Sequence, residues 1–352
     1  MKRTFFRNSL IFSGLIVFIV TFMTIGHAAL QKDLSITSSV TLTQGLLRPN
    51  SGTPSKFLGC DNIPTSSVKK LYFRASFPDT AVETCDVSDA QDGSVMAYLK
   101  SNGTVYVVAQ GGVVYANTAT KLSYLTNCSY ISFVDTGGVN RFNTKNMTSM
   151  YRMFDSLCST STCKMDKLDL SSFDTSKVTN MDGTFVDASH VCEFDVSSFN
   201  TSKVVSMNEM FKHCSSILYL NVSSFDTSRV YDMNYMFGNN PLLVDVYIGS
   251  QWSTANLGNG PASECNASWG CSGAGMLDGS NMAYYGNGHV EGRHPYGPCS
   301  VQGAVDITNY NGVNYAKLDG GSSSPGCFSD VSTMSSTLPT YRATTDICYQ
   351  AN

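Results

Sequence analysis

The sequence predicts an α/β fold. The expected architecture is a short solenoid of strand-turn-helix repeats with parallel strands, flanked by a small β-rich N-terminal region and a Cys- and Gly-rich C-terminal region of loops and short strands. Three observations carry this expectation. The centre of the chain repeats itself every 26 residues, each repeat changes its apolar period from two to a step of three and four, and twelve cysteines follow an apparent export segment.

The repeat is the clearest signal, because self-similarity at a fixed period marks units that bury their apolar faces by stacking. LDLSSFDTSKVTNMDGTF (168–185), FDVSSFNTSKVVSMNEMF (194–211) and LNVSSFDTSRVYDMNYMF (220–237) superpose without gaps. Their anchors Phe173, Phe199 and Phe225 are 26 residues apart; Phe142 precedes them and Trp252 takes the same place downstream. Leu168 and Leu170, Phe194 and Val196, and Leu220 and Val222 alternate with polar residues, the pattern of a short strand with one face inward. After each anchor come Val178, Met181 and Phe185, then Val204, Met207 and Phe211, then Val230, Met233 and Phe237. Steps of three and four place such residues on one face of a helix, and Thr175, Thr201 and Thr227 stand where N-caps belong.

The flanks divide the chain into 1–28, 29–118, 119–258 and 259–352. Lys2, Arg3 and Arg7 precede an uncharged run from Ser9 to Gly26, with Gly26-His27-Ala28 after it. This reads as a signal peptide or an N-terminal membrane anchor, and the expected location is extracellular or at the cell surface. Export gives the cysteines a setting in which disulfides persist. Spacing does not fix the connectivity, but Cys158 and Cys163 are the pair most easily closed locally, and Cys265 and Cys271 bracket another short loop. Within the β-rich region SVMAYLK and TVYVVAQ flank Ser101-Asn102-Gly103, a hairpin pattern.

These residues resemble a known family. The pattern L-x-L-S-S-F-D-T-S-x-V-x-x-M-x-x-M-F resembles the 26-residue leucine-rich-like repeats of the BspA-type bacterial surface proteins. Asn314-Tyr315-Ala316-Lys317-Leu318-Asp319-Gly320-Gly321 through Pro325-Gly326-Cys327-Phe328 is similar to the segment found after such repeats, and Asp86-Val87-Ser88 with Asp92-Gly93-Ser94-Val95-Met96-Ala97 is similar to their lead-in. The resemblance spans residues 68 to 330, approximately. It implies a leucine-rich-like repeat protein, secreted or on the cell surface, with adhesive or ligand-binding roles and no catalysis.

Chemistry-bearing motifs are few. Charged residues make up 14% of the chain and the net charge is −4, without a local basic cluster, which argues against nucleic acid as a partner. No GxSxG elbow, Walker loop, Rossmann fingerprint or CxxC pair occurs, so the chain reads as non-catalytic and without cofactor. His289-Val290-Glu291-Gly292-Arg293-His294 spaces its histidines five apart, unlike a zinc helix, and His190, Cys192, His213 and Cys214 occupy different repeat positions. Met150, Met181, Met207 and Met233, with Met153, Met210 and Met236, read as core. What remains is a basic row at one repeat position, Lys177, Lys203 and Arg229, beside Asp174, Asn200 and Asp226. The row is the expected partner-binding surface, with extracellular or host proteins as partners. The alternative is a carbohydrate-binding module using Tyr284, Tyr285, Tyr296, Tyr310 and Tyr315 as stacking platforms. Membrane contact is expected only through the N-terminal segment, if it is not cleaved.

Overall fold

The computed structural model describes residues 45–48, 55–77, 80–243, 245–261 and 271–278, with shorter pieces at 265, 308–309, 312, 314, 316–317, 327–330 and 332. The expected export segment lies outside them. Among the described residues, no helix is long and apolar enough to cross a membrane.

The first half of the described chain builds a five-stranded sheet. Strands β1 (Lys70–Arg74), β2 (Glu83–Asp86), β3 (Val95–Leu99) and β4 (Thr104–Ala109) are followed by a two-residue β5 (Val114–Tyr115) and by β6 (Tyr130–Ser132). The order is β2-β3-β4-β1-β6, antiparallel from β2 to β4 and parallel from β4 through β1 to β6. Alternation sorts the side chains. Leu71, Phe73, Val95, Ala97, Val105 and Val107 are buried on one face, whereas Tyr72, Tyr98 and Tyr106 stand on the other. The turn between β3 and β4 is closed by the Gly103 amide on the Lys100 carbonyl at 3.0 Å. Gly103 has φ +83°, and a Cβ there would meet the Ser67 carbonyl oxygen at 2.8 Å, so this turn requires glycine.

The repeats then stack in parallel. Strand β7 (Phe142–Asn143) pairs with β5, β8 (Leu168–Asp169) with β9 (Phe194–Asp195), and β10 (Tyr219–Val222) with β11 (Asp245–Ile248), which in turn pairs with β12 (Ser329–Asp330). A second line of parallel bridges joins Ser149, Asn180, Ser206 and Asp232 across four successive repeats. Val178, Val204 and Val230, and Met181, Met207 and Met233, are all fully buried. Phe154, Phe185, Phe211 and Phe237 run as a ring column with centroids 5.7, 5.1 and 6.0 Å apart. Each such ring contributes about 1.5–3 kcal/mol through burial.

The predicted α/β strand-turn-helix solenoid is not what forms. Among the described residues there is no α-helix: the helical pieces are single 3-10 turns at Phe57–Gly59 and Thr65–Ser67, and the strands fall into small separate sheets. The segments read as helices are chains of turns, because every second amide bonds to the next repeat. The amides of Met181, Gly183, Phe185 and Asp187 donate to the carbonyls of Ser206, Asn208, Met210 and Lys212 at 2.7–3.0 Å. The intervening amides of Thr184, Val186 and Ala188 close local turns on residues three earlier. A left-handed residue recurs at every fourth position to make this register: Arg152 and Ser156, Gly183 and Asp187, Glu209 and His213, Tyr235 and Asn239, all with φ between 51° and 59°. An α-helix requires negative φ throughout and bonds to the carbonyl four residues back, so it cannot persist through such a segment.

Three disulfides are formed between described residues: Cys60–Cys85, and the two expected ones, Cys158–Cys163 and Cys265–Cys271. Cys192 and Cys327 are disulfide-bonded as well. Cys128 and Cys214 are free and buried, and burial pushes the Cys128 thiol up to about 12.

Candidate interaction surface

The basic row is positioned by a threonine ladder. Thr175, Thr201 and Thr227, read from sequence as helix caps, are buried and staple one repeat to the next. Thr175 Oγ1 donates to the Asn200 carbonyl at 3.1 Å and accepts from the Asn200 amide at 2.8 Å. Thr201 does the same with Asp226, at 2.9 and 2.8 Å, and Thr227 with Ser253, at 2.8 and 2.6 Å. Thr144 starts the ladder on Asp174. The acidic row caps the turn that follows: the amides of Ser176, Ser202 and Ser228 donate to the side-chain Oδ1 of Asp174, Asn200 and Asp226 at 3.0–3.1 Å. Hydrogen bonds from the Ser176 hydroxyl and amide hold the Asp174 carboxyl below its ordinary range, with a smaller contribution from Lys177.

On the other side of the row the Thr179, Val205 and Tyr231 amides donate to the Thr148, Thr179 and Val205 carbonyls, each at 2.9 Å. Lys177, Lys203 and Arg229 are thus brought into line on consecutive repeats, between two ladders of inter-repeat bonds. All three are exposed, and none forms an ion pair among the described residues.

Further along each repeat lies a half-buried polar line that sequence reasoning missed. Asp182 accepts from Asn180 Nδ2 and the Asn208 amide, both at 2.9 Å, and from the Ser206 hydroxyl. Burial raises its pKa. Asp232, which accepts from the Asn234 amide at 3.0 Å, is pushed up to about 6 by burial, with the negative field of Asp182 acting in the same direction. Beside this line Arg152 crosses the bare Gly183 position, pairing with Asp155 at 2.8 Å and Glu209 at 3.6 Å. Among the described residues no three His, Cys, Asp or Glu side chains are grouped to hold a metal ion.

A second outward surface is the solvent face of the five-stranded sheet. Tyr98, Tyr106 and Tyr72 are directly paired across β3, β4 and β1, and Tyr130 on β6 pairs with Lys70. Ring centroids of Tyr72 lie 5.4 Å from both Tyr106 and Tyr130, and the Arg74 guanidinium sits 4.6 Å over Tyr72. Phe77 lies flat on Tyr98 at 4.5 Å and covers that end, whereas Tyr130 is 46% exposed at the other.

A family model described as "Mycoplasma protein of unknown function, DUF285" matches residues 123–252. That span contains the stacked repeats, the basic row and β6, and leaves β1 to β5 outside it. No curated protein and no solved structure matches the chain.

The remaining sequence-derived candidates do not assemble. The methionines of both rows are buried in the core. Cys192 is disulfide-bonded, Cys214 donates its thiol to the Phe185 carbonyl at 3.2 Å, and His213 Nδ1 pairs with Asp187 at 2.7 Å. Tyr284, Tyr285, Tyr296, Tyr310, Tyr315 and the His289–His294 stretch lie outside the described residues.

Proposed function

We propose that this chain is an exported, non-catalytic surface protein that binds an extracellular or host protein through Lys177, Lys203 and Arg229. The observation that carries this reading is the row itself: three exposed cations on a backbone held by inter-repeat hydrogen bonds, at one repeat position and without ion-pair partners among the described residues. Like charges stacked at about strand spacing, ~4.8 Å, repel one another weakly in water. An acidic partner relieves that repulsion and gains from the preformed alignment, which raises association rate and specificity more than affinity. The disulfides suit an oxidising, extracellular setting, and the resemblance to BspA-type repeats points to the same location and role.

The test is affinity capture from extracellular-matrix and serum proteins, using the wild-type chain and the Lys177→Ser/Lys203→Ser/Arg229→Ser variant. The expected result is an acidic protein retained by the wild type and lost by the variant, with unchanged thermal stability. Equal retention by both proteins would place the binding site elsewhere.

A further inference from the structure

We propose that the solvent face of the five-stranded sheet binds an acidic oligosaccharide. In this arrangement a sugar ring lies against Tyr130, the sugars beyond it run along the edges of Tyr72 and Tyr106, and its carboxylate or sulfate groups are held by Lys70 and Arg74. This goes beyond the protein-binding role of the repeats and concerns a different face of the molecule.

The aromatic part of the site comes from register. Parallel pairing of β1 with both β4 and β6 sets Tyr72 between Tyr106 and Tyr130 with ring spacings of 5.4 Å, close to the advance per residue of an extended sugar chain. The Tyr72 and Tyr106 rings stack on one another 18° from parallel, Phe77 meets Tyr106 edge-on at 5.5 Å and the Arg74 guanidinium lies over Tyr72, so the stacking face is offered by Tyr130, the exposed ring of the row. The C–H groups on one side of a pyranose are polarised by the ring and hydroxyl oxygens. They are therefore attracted to the negative face of an aromatic ring, and sugar hydroxyls find phenol groups at the same depth. Phe77 closes the row at Tyr98, so a ligand enters from the Tyr130 side, where the ring is most exposed.

Charge selects the kind of sugar. Lys70, Tyr72 and Arg74 alternate along β1 and share one face, so a cation stands on either side of the central ring. Arg74 uses Nη1 on the carbonyls of Phe73 and Val134, at 2.8 Å each, and has no carboxylate partner among the described residues; nor has Lys70. Among the described residues of β1 to β4 and β6, the carboxylate on this face is Asp86, on the far edge strand, and it is engaged by Ser88 and the Gly93 amide. An anion along β1 therefore meets two positive charges that have no carboxylate partner among the described residues.

The experiment is binding of the disulfide-bonded full chain to an array of uronate-, sulfate- and sialate-bearing oligosaccharides beside neutral ones, followed by calorimetry on the best acidic probe. Acidic glycans are expected to bind and neutral ones of equal length to bind much less. Tyr130→Ala, at a position exposed enough to leave the fold intact, should weaken binding about tenfold. Arg74→Gln should weaken it and flatten its salt dependence, while the Lys177/Lys203/Arg229 triple variant binds as the wild type does. Absence of acidic-glycan binding, equal binding of neutral glycans, full binding by Tyr130→Ala, or loss of binding in the triple variant would each overturn the proposal. The last control separates this site from the basic row, so either reading can fail alone.

Discussion

Replacing Thr201 by Val tests whether the threonine ladder holds the repeats together. Thr201 is 1% exposed, and its hydroxyl serves both backbone groups of Asp226, at 2.9 and 2.8 Å. Valine fills the same volume, so no cavity opens. What is lost is the partner of one amide and one carbonyl, each costing about 1–3 kcal/mol when left unmet. The Asp226 backbone is only partly buried, so water recovers some of that loss and the expected destabilisation is about 2–3 kcal/mol. Thr201→Ser keeps the hydroxyl and gives up one methyl, about 1 kcal/mol. Urea unfolding with disulfides intact should show the midpoint falling for Val by clearly more than for Ser, at constant slope. A Val variant within about 0.5 kcal/mol of wild type, the range of inert surface changes, would refute the ladder as a source of stability. So would a Ser variant as damaged as the Val.

Two further perturbations probe the turns and the half-buried carboxylates. Gly183 has φ +57°, and a Cβ there would lie 3.1 Å from Arg152 Cγ, so Gly183→Ala should cost about 1–2 kcal/mol in urea unfolding; a neutral result contradicts the left-handed turn. Asp232 has its carboxyl raised from the ordinary 3.8 to about 6, so its protonated form favours the fold: that contribution is complete below 3.8 and is lost as pH rises through about 6. Asp232→Asn should therefore gain in melting temperature relative to wild type across that window, and a gap that does not change with pH would contradict the burial of a titrating Asp232.

The stacking surfaces of the repeats were legible in the sequence, and the conformation between them was not. Val178, Met181 and Phe185 are spaced for one face of a helix, but a left-handed residue at every fourth position gives an inward face with the same spacing. What decides between them is where the amides of Met181, Gly183 and Phe185 find carbonyls, and those carbonyls belong to the next repeat. The threonines were misread for the same reason: a buried hydroxyl before a turn is indistinguishable in sequence from an N-cap, and its partners lie 25 or 26 residues away. Asp174 and Asp226 cap amides two residues on. The aromatic face was half visible, since Tyr98 and Tyr106 fall on one face of a recognisable hairpin. Tyr72 and Tyr130 join them only through parallel pairings that no local pattern announces. Asp182 and Asp232 gave no signal, because the burial that raises them comes from packing between repeats.

The most direct test of the central claim is the association rate of the captured acidic partner with wild-type chain and with the Lys177→Ser/Lys203→Ser/Arg229→Ser variant, measured across ionic strength. Exposed cations steer encounter and are screened by salt, so the wild-type rate should fall steeply as salt is added, whereas the variant should start slower and respond little. Superimposable rates and salt slopes for the two proteins would contradict a binding role for the row.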